Sequence, residues 1–166
     1  MPQNPKTGGS VAPVKTDHCI IIVGDSYSKG CATNVKSYLS DNFKVQGFVK
    51  PGTCSDKLTM TAANVIKNLT KNDFLIFWSG ANDVAKNNTM KVFRYLVDFE
   101  KNNSHTNVIL ASVPHRHDLM SSSCVNEVKV FNRKLMKISN IFGHVSIMEV
   151  DPNREYYTKH DLHLNN

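Results

Sequence analysis

Four short segments of this 166-residue chain hold side chains whose types suit acyl transfer. The first is Gly24-Asp25-Ser26, directly after the apolar run Cys19 to Val23. A serine where a strand turns into a helix projects its hydroxyl at the sheet edge and turns its own backbone N–H toward any anion there. Such a serine is a nucleophile if a base stands beside it; otherwise it is a helix N-cap, a position that Ser and Asp favour. The second segment, Lys50-Pro51-Gly52-Thr53, offers a glycine that lets the backbone approach a ligand or adopt positive φ. The third, Trp78-Ser79-Gly80-Ala81-Asn82-Asp83, carries a carboxamide able to donate to an oxyanion, although Asn-Asp is also a common turn pair. The fourth, Tyr156 to Asn165, holds His160, Asp161 and His163. Histidine is the side chain best suited to take a serine proton near neutral pH, and a solvated loop histidine is the alternative.

To act together these residues need a scaffold that brings them to one edge. Cys19 to Val23 is short, continuously apolar and β-branched, as in a strand buried on both faces of a parallel sheet. The pattern then repeats. Helix is predicted from about Ser28 to Ser40, strand near Val45 to Val49, helix from about Ser55 to Leu69 and strand over Phe74 to Trp78. Helix over Met90 to Asn102, strand over Asn107 to Val113, helix over Val125 to Ser139 and strand over Val145 to Val150 complete the series. Strands alternating with helices imply right-handed crossovers and a five-stranded parallel sheet in a three-layer α/β/α sandwich. Ligands bind such sheets outside the carboxyl ends of the strands, where all four segments fall in chain order. Pro114 to Met120 follows the fourth strand, so His115, Arg116 and His117 are expected at the same mouth, with Asp25, as substrate-binding residues. His115 and His117 lack a third metal ligand of recognisable spacing, and no metal or organic cofactor is expected.

In order, Gly-Asp-Ser, then Gly, then Gly-x-Asn-Asp, then a C-terminal His-Leu-Asn resembles the SGNH hydrolase superfamily, the GDSL-type esterases and lipases. The resemblance runs from about Cys19 to Asn165. It implies a flavodoxin-like fold, Ser26 as nucleophile and His163 as general base. It also gives the Ser26 N–H, the Gly52 N–H and the Asn82 side chain to the oxyanion hole. The implied activity is hydrolysis of a carboxylic ester, with a small ester or lipid as substrate. One position departs from the pattern: where the family has an aspartate three residues before the histidine, this chain has His160, and Asp161 stands one residue nearer. Base orientation then falls to Asp161, to His160 or to a backbone carbonyl. The alternative function is a catalytically weak SGNH-like binding module of a larger polypeptide. The strings Gly47 to Gly52 and Pro114 to Met120, with the histidine-for-aspartate loop, are similar to SGNH-like domains common in insect genomes, some of which look retrotransposon-derived. That resemblance is compatible with an upstream zinc-finger or coiled-coil segment.

Composition bounds these readings. Hydrophobic residues at 40% and charged residues at 20% describe an ordinary globular chain and argue against collagen, coiled coil and wholesale disorder. A domain of this length buries enough surface to need no staple. Cys19, Cys31, Cys54 and Cys124 have no Cys-x-x-Cys spacing and read as free thiols in a reducing compartment. No apolar run reaches the ~20 residues of a membrane span. Met1 to Lys15 has no apolar h-region, so an intracellular, cytoplasmic location is expected. Residues 1–16 read as a flexible Pro/Gly-containing linker to an upstream domain, and 17–166 as the hydrolase-like domain. The chain ends where a further helix would normally return to the sheet, which reads as C-terminal truncation with one face short of cover. The net charge of +6 suits nucleic acid or lipid as a partner, but no nucleic-acid motif supports it, and phosphate loops of the Gly-x-x-x-x-Gly-Lys or Gly-x-Gly-x-x-Gly type are absent.

Overall fold

The computed structural model describes residues 17–114 and 122–150. Their strands are β1 (His18–Gly24), β2 (Phe43–Val49), β3 (Phe74–Trp78), β4 (Asn107–Ala111) and β5 (Val145–Met148). The helices are α1 (Cys31–Ser37), α2 (Ser55–Val65), α3 (Ala81–Ala85), α4 (Thr89–Asn102) and α5 (Ser122–Ile141), with a 3-10 turn, Ser26–Ser28, between β1 and α1. All strand pairs are parallel, in the order β2-β1-β3-β4-β5. The chain steps outward from β1 to β2 and then crosses back to β3. The strand order therefore reverses between β1 and β3, and a crevice opens at that point in folds of this kind.

The burial of β1 follows from its place inside the sheet: Ile20, Ile21, Ile22 and Val23 are all buried, Val23 completely. Ile21 and Val23 join Leu75 and Phe77 of β3 and Val108 and Leu110 of β4 in one core, covered by Leu58 and Ala62 of α2, Val92 and Leu96 of α4, and Phe131 and Leu135 of α5. Fully burying a Leu or Phe side chain stabilises by about 1.5–3 kcal/mol, so these rows dominate the fold's cohesion. Ile22 points the other way, in register with Gly47 and Ile76. There α1 lies so close that a Cβ added at Gly47 would stand 2.9 Å from the Ala32 Cβ. Helices thus cover both faces and the domain has three layers. Among the described residues α1 is the only helix on its face, where Phe74, Ile76 and Ile109 are half-buried.

The element order matches the sequence expectation, and the differences have local causes. The helix expected from Ser28 to Ser40 is a 3-10 turn and a shorter α1, because Gly30 sits at φ 79 between them and breaks the helical run. The helix expected to reach Leu69 stops at Val65; turns closed by Leu69 N–H to Ile66 O and Asp73 N–H to Thr70 O follow. The Asp73 carboxylate fixes the second of these by accepting from Thr70 N and Thr70 Oγ1. The fourth strand ends at Ala111 rather than Val113, since the Asn132 side chain takes both the N–H and the C=O of Val113. Similarly β5 ends at Met148, beyond which Val150 N–H donates to Ser112 Oγ. Helix α5 is longer than expected at both ends, and α3 was not expected at all. The linker expected over residues 1–16 and the segment 151–166 lie outside the described residues. The four cysteines are unpaired thiols, and among the described residues no helix is long and apolar enough to cross a membrane.

Candidate active site

At the carboxyl end of β1 the backbone is held close to β3. Asp25 N–H donates to Trp78 O at 3.2 Å, and a Cβ at Gly24 would stand 2.7 Å from that same carbonyl, so only glycine allows the approach. Asp25, not Ser26, caps the 3-10 turn: its Oδ1 accepts from Tyr27 N at 3.0 Å. The capping alternative for Ser26 is thereby taken by its neighbour. Ser26 is half-exposed between buried Gly24 and Asp25 on one side and buried Tyr27 and Ser28 on the other. The chain therefore presents this one residue to solvent at the strand's end.

Beyond β2, Lys50 to Thr53 form a turn closed by Thr53 N–H to Lys50 O at 3.3 Å, with Pro51 and then Gly52 at φ 70 in its centre. Pro followed by a left-handed Gly is the sequence demanded by a type II turn. This turn is tied to β1 by Lys50 N–H to Gly24 O at 2.9 Å. Beyond β3, Gly80 at φ 110 opens α3, whose first turn carries Asn82 and Asp83. A short helix replaces the Asn-Asp turn that the sequence allowed.

Asn82 joins the three strand ends. Its Nδ2 donates to Thr53 O at 3.1 Å and, more weakly, to Asp25 Oδ2 at 3.4 Å. The carboxamide thus stands between the residue before Ser26 and the residue after Gly52. Asp83 secures the arrangement from behind: its Oδ2 accepts from Ser55 N at 2.9 Å and Ser55 Oγ at 2.8 Å, and Ser55 Oγ lies 2.9 Å from Ser79 Oγ. One carboxylate therefore couples α3 to the start of α2, immediately after the Gly52 turn. Burial raises the Asp25 carboxyl to about 6, with the Tyr27 N–H opposing and the nearby Asp83 adding to the rise. Asp83 is also raised, by burial first, against its hydrogen bonds from Ser55.

The structure brings together Ser26, Gly52 and Asn82. Asp25, expected to contact substrate, is fully buried and uses its carboxylate on Tyr27 and Asn82, so it stands behind the mouth. His163, His160, Asp161, His115, Arg116 and His117 lie outside the described residues. The sequence reading did not single out Thr53, Ser55 or Ser79, whose partners lie 24 to 29 residues away. The one local signal is Asp83 beside Asn82, a carboxylate at the same sheet edge.

No protein-family model matches the chain, and no curated protein matches it in sequence. Solved structures do. The acetyl xylan esterase AlAXEase superposes with a TM-score of 0.70 at 13% identity, over 89% of this chain and 91% of that one. A member of the lipolytic protein G-D-S-L family from Veillonella parvula gives 0.66 at 15% identity, over 80% and 77%. The psychrotrophic esterase EstA from Pseudoalteromonas sp., in a structure inhibited by monoethylphosphonate, gives 0.67 at 16% identity, over 90% and 88%. The chain therefore has the α/β fold of the SGNH, or GDSL-type, hydrolases, as the motif resemblance implied.

Proposed function

We propose that this chain is a serine esterase of the SGNH type that hydrolyses a small carboxylic or lipid ester through an acyl-enzyme. The observation that carries the reading is the Asn82 carboxamide, bonded at once to the residue after Gly52 and to the residue before Ser26. Likeness of fold to an acetyl xylan esterase and to a phosphonate-inhibited esterase supports it. In this reading Ser26 Oγ attacks the ester carbonyl while His163 takes its proton. The tetrahedral oxyanion is met by the Ser26 N–H, the Gly52 N–H and the Asn82 Nδ2–H whose bond to Asp25 is the long one. His163 then delivers the proton to the departing alkoxide. Water, deprotonated by the same histidine, attacks the acyl carbonyl, releases the acid and restores Ser26. Each preorganised oxyanion donor is worth about 3 kcal/mol in the transition state.

With His160 where the family has its aspartate, Asp161 or a backbone carbonyl orients His163. Losing the orienting acid of such a triad costs about 10⁴ in turnover, so slow hydrolysis is expected. The test is p-nitrophenyl acetate turnover together with mass-spectrometric detection of a fluorophosphonate adduct. The wild type takes the label on Ser26, Ser26→Ala loses both label and turnover, His163→Ala loses turnover, and His160→Asp raises it. A folded wild type with neither label nor mutant-sensitive turnover overturns the esterase and leaves a binding module on a hydrolase fold.

A further inference from the structure

Helices α4 and α5 lie side by side on the same sheet face, joined by the Phe93 and Phe131 rings at 5.0 Å and by Lys134 Nζ, which reaches Met90 Sδ at 3.3 Å and sits over the Phe93 ring. Their inner sides, with Val92, Leu96 and Phe99 on α4 and Val128, Phe131, Leu135 and Ile138 on α5, are buried in the core, so their outer sides form one continuous surface. That surface differs in charge from the other described residues. The two helices carry seven Lys or Arg against three carboxylates, one of them the fully buried Glu100, whereas the remaining described residues hold eight against seven. Lys91, Arg94, Lys101, Lys129, Arg133 and Lys137 are exposed, and among the described residues none of them forms an ion pair. On α5 the cations Lys129, Arg133 and Lys137 recur every fourth residue and so line a single stripe.

The same surface holds five of the nine large apolar side chains left exposed among the described residues, the others being Tyr38, Val49, Met60 and Met148. Met90 is 74% exposed, Ile141 68%, Met136 48% and Val130 41%, interleaved with the cations along both helices. Cations alone would suit any polyanion. Cations alternating with unbranched or aliphatic side chains suit a surface that is anionic at its face and hydrocarbon just beneath, where ammonium groups meet headgroups and methionine or isoleucine enters the acyl boundary. Nucleic acid instead favours stacking aromatics and hydrogen-bonding side chains, and Tyr95 is the one aromatic exposed here.

We infer that the outer face of α4 and α5 is a docking surface for an anionic lipid bilayer. It lies flat on the membrane without spanning it. The experiment is co-sedimentation of the full chain with vesicles of phosphatidylcholine alone or mixed with about one-third phosphatidylserine. The chain pellets with the anionic vesicles, stays in solution with the neutral ones, and is released as salt rises from about 0.1 to about 0.5 M. At about a five-fold loss per cation, Lys129→Gln/Arg133→Gln/Lys137→Gln lowers partitioning on the order of a hundred-fold. Lys91→Gln/Arg94→Gln repeats the test independently from α4. Met136→Ser/Ile141→Ser weakens vesicle binding while leaving any binding to a single-stranded oligonucleotide unchanged. Absence of wild-type partitioning onto anionic vesicles, or partitioning unchanged in both charge variants, overturns the inference. Oligonucleotide binding that needs the cations, with vesicle binding indifferent to the apolar pair, overturns it in favour of nucleic acid.

Discussion

Asn82 is where the residue types become a site. A carboxamide nitrogen has two hydrogens, and here one is committed to Thr53 O at 3.1 Å while the other meets Asp25 at 3.4 Å, a geometry weak enough to yield to a stronger acceptor. An oxyanion beside Ser26 is such an acceptor. Asn82→Ala is therefore expected to lower kcat for p-nitrophenyl acetate by about 10²–10³-fold with KM little changed, the cost of one oxyanion donor. A loss confined to KM would assign Asn82 to ground-state binding instead. Ser26, Gly52 and Asn82 were legible in the sequence through the motif resemblance, since residue type and a place just after a strand fit a cap or a turn equally well at each position. The bonds that align them were not: Asn82 to Asp25 spans 57 residues and Asn82 to Thr53 spans 29, and no periodicity encodes such distances. The division of labour between Asp25 and Ser26 was likewise hidden, since both are good caps and only the folded turn decides which one is used.

Between elements, glycines set the close approaches that aim the site. Gly80 at φ 110 begins α3, and a Cβ there would stand 2.4 Å from Phe131 Cζ on α5 and 3.0 Å from Val113 Cγ2. The backbone just before Asn82 is thus wedged under a fully buried ring, and both conformation and space exclude a side chain. Gly80→Ala is expected to destabilise the domain by about 2–4 kcal/mol, combining a left-handed backbone penalty with overpacking of Phe131. Urea denaturation measures this, and a change under about 0.5 kcal/mol, the size of an ordinary surface substitution, contradicts the packing described. The strands were readable as short apolar runs and the long helices as the stretches that alternate with them. Helix α3 was not, because five residues are too few for a helical period to emerge; nor was the split of the first helix at Gly30, which reads in sequence as one tolerated glycine. The end of β4 depended on Asn132, a side chain that replaces ladder bonds from outside the element, and the turn beyond α2 on Asp73.

For the molecule as a whole, the opposite end of the sheet adds its own response to pH, beside that of Asp25 and Asp83. Glu100 on α4 is fully buried, with Oε2 at 3.2 Å from His144 Nε2 and no partner for Oε1 among the described residues. Burial raises its carboxyl to about 8, while burial and then the nearby Lys71 lower His144, with a hydrogen bond to Glu100 opposing and His105 adding. Both shifts favour the neutral forms of the pair. The folded chain keeps a proton that the unfolded chain releases near 4.5, so the stability from Glu100 is complete below that value and is lost as pH rises through about 8. His144 works oppositely, its share being present above 6.5 and lost as pH falls through its lower folded value. The share of the unfolding free energy that Glu100 contributes should decline between about pH 5 and 8 at up to about 1.4 kcal/mol per unit, so Glu100→Gln should flatten the pH profile in that window by that amount. Identical pH profiles for the two proteins would refute the assignment. The strand order has a temporal consequence as well. Pairing of β1 with β2 ties the Gly52 turn to the end of β1, but Trp78 O, which holds Asp25, and the Asn82 carboxamide arrive only when β3 pairs on the other side of β1, a closure that also brings Asp73 to Cys19 across 54 residues. Closing the longer loop costs more chain entropy. A chain in which only β1 and β2 have paired carries its serine without its carboxamide, so the proposed site is assembled only once β3 has joined the sheet.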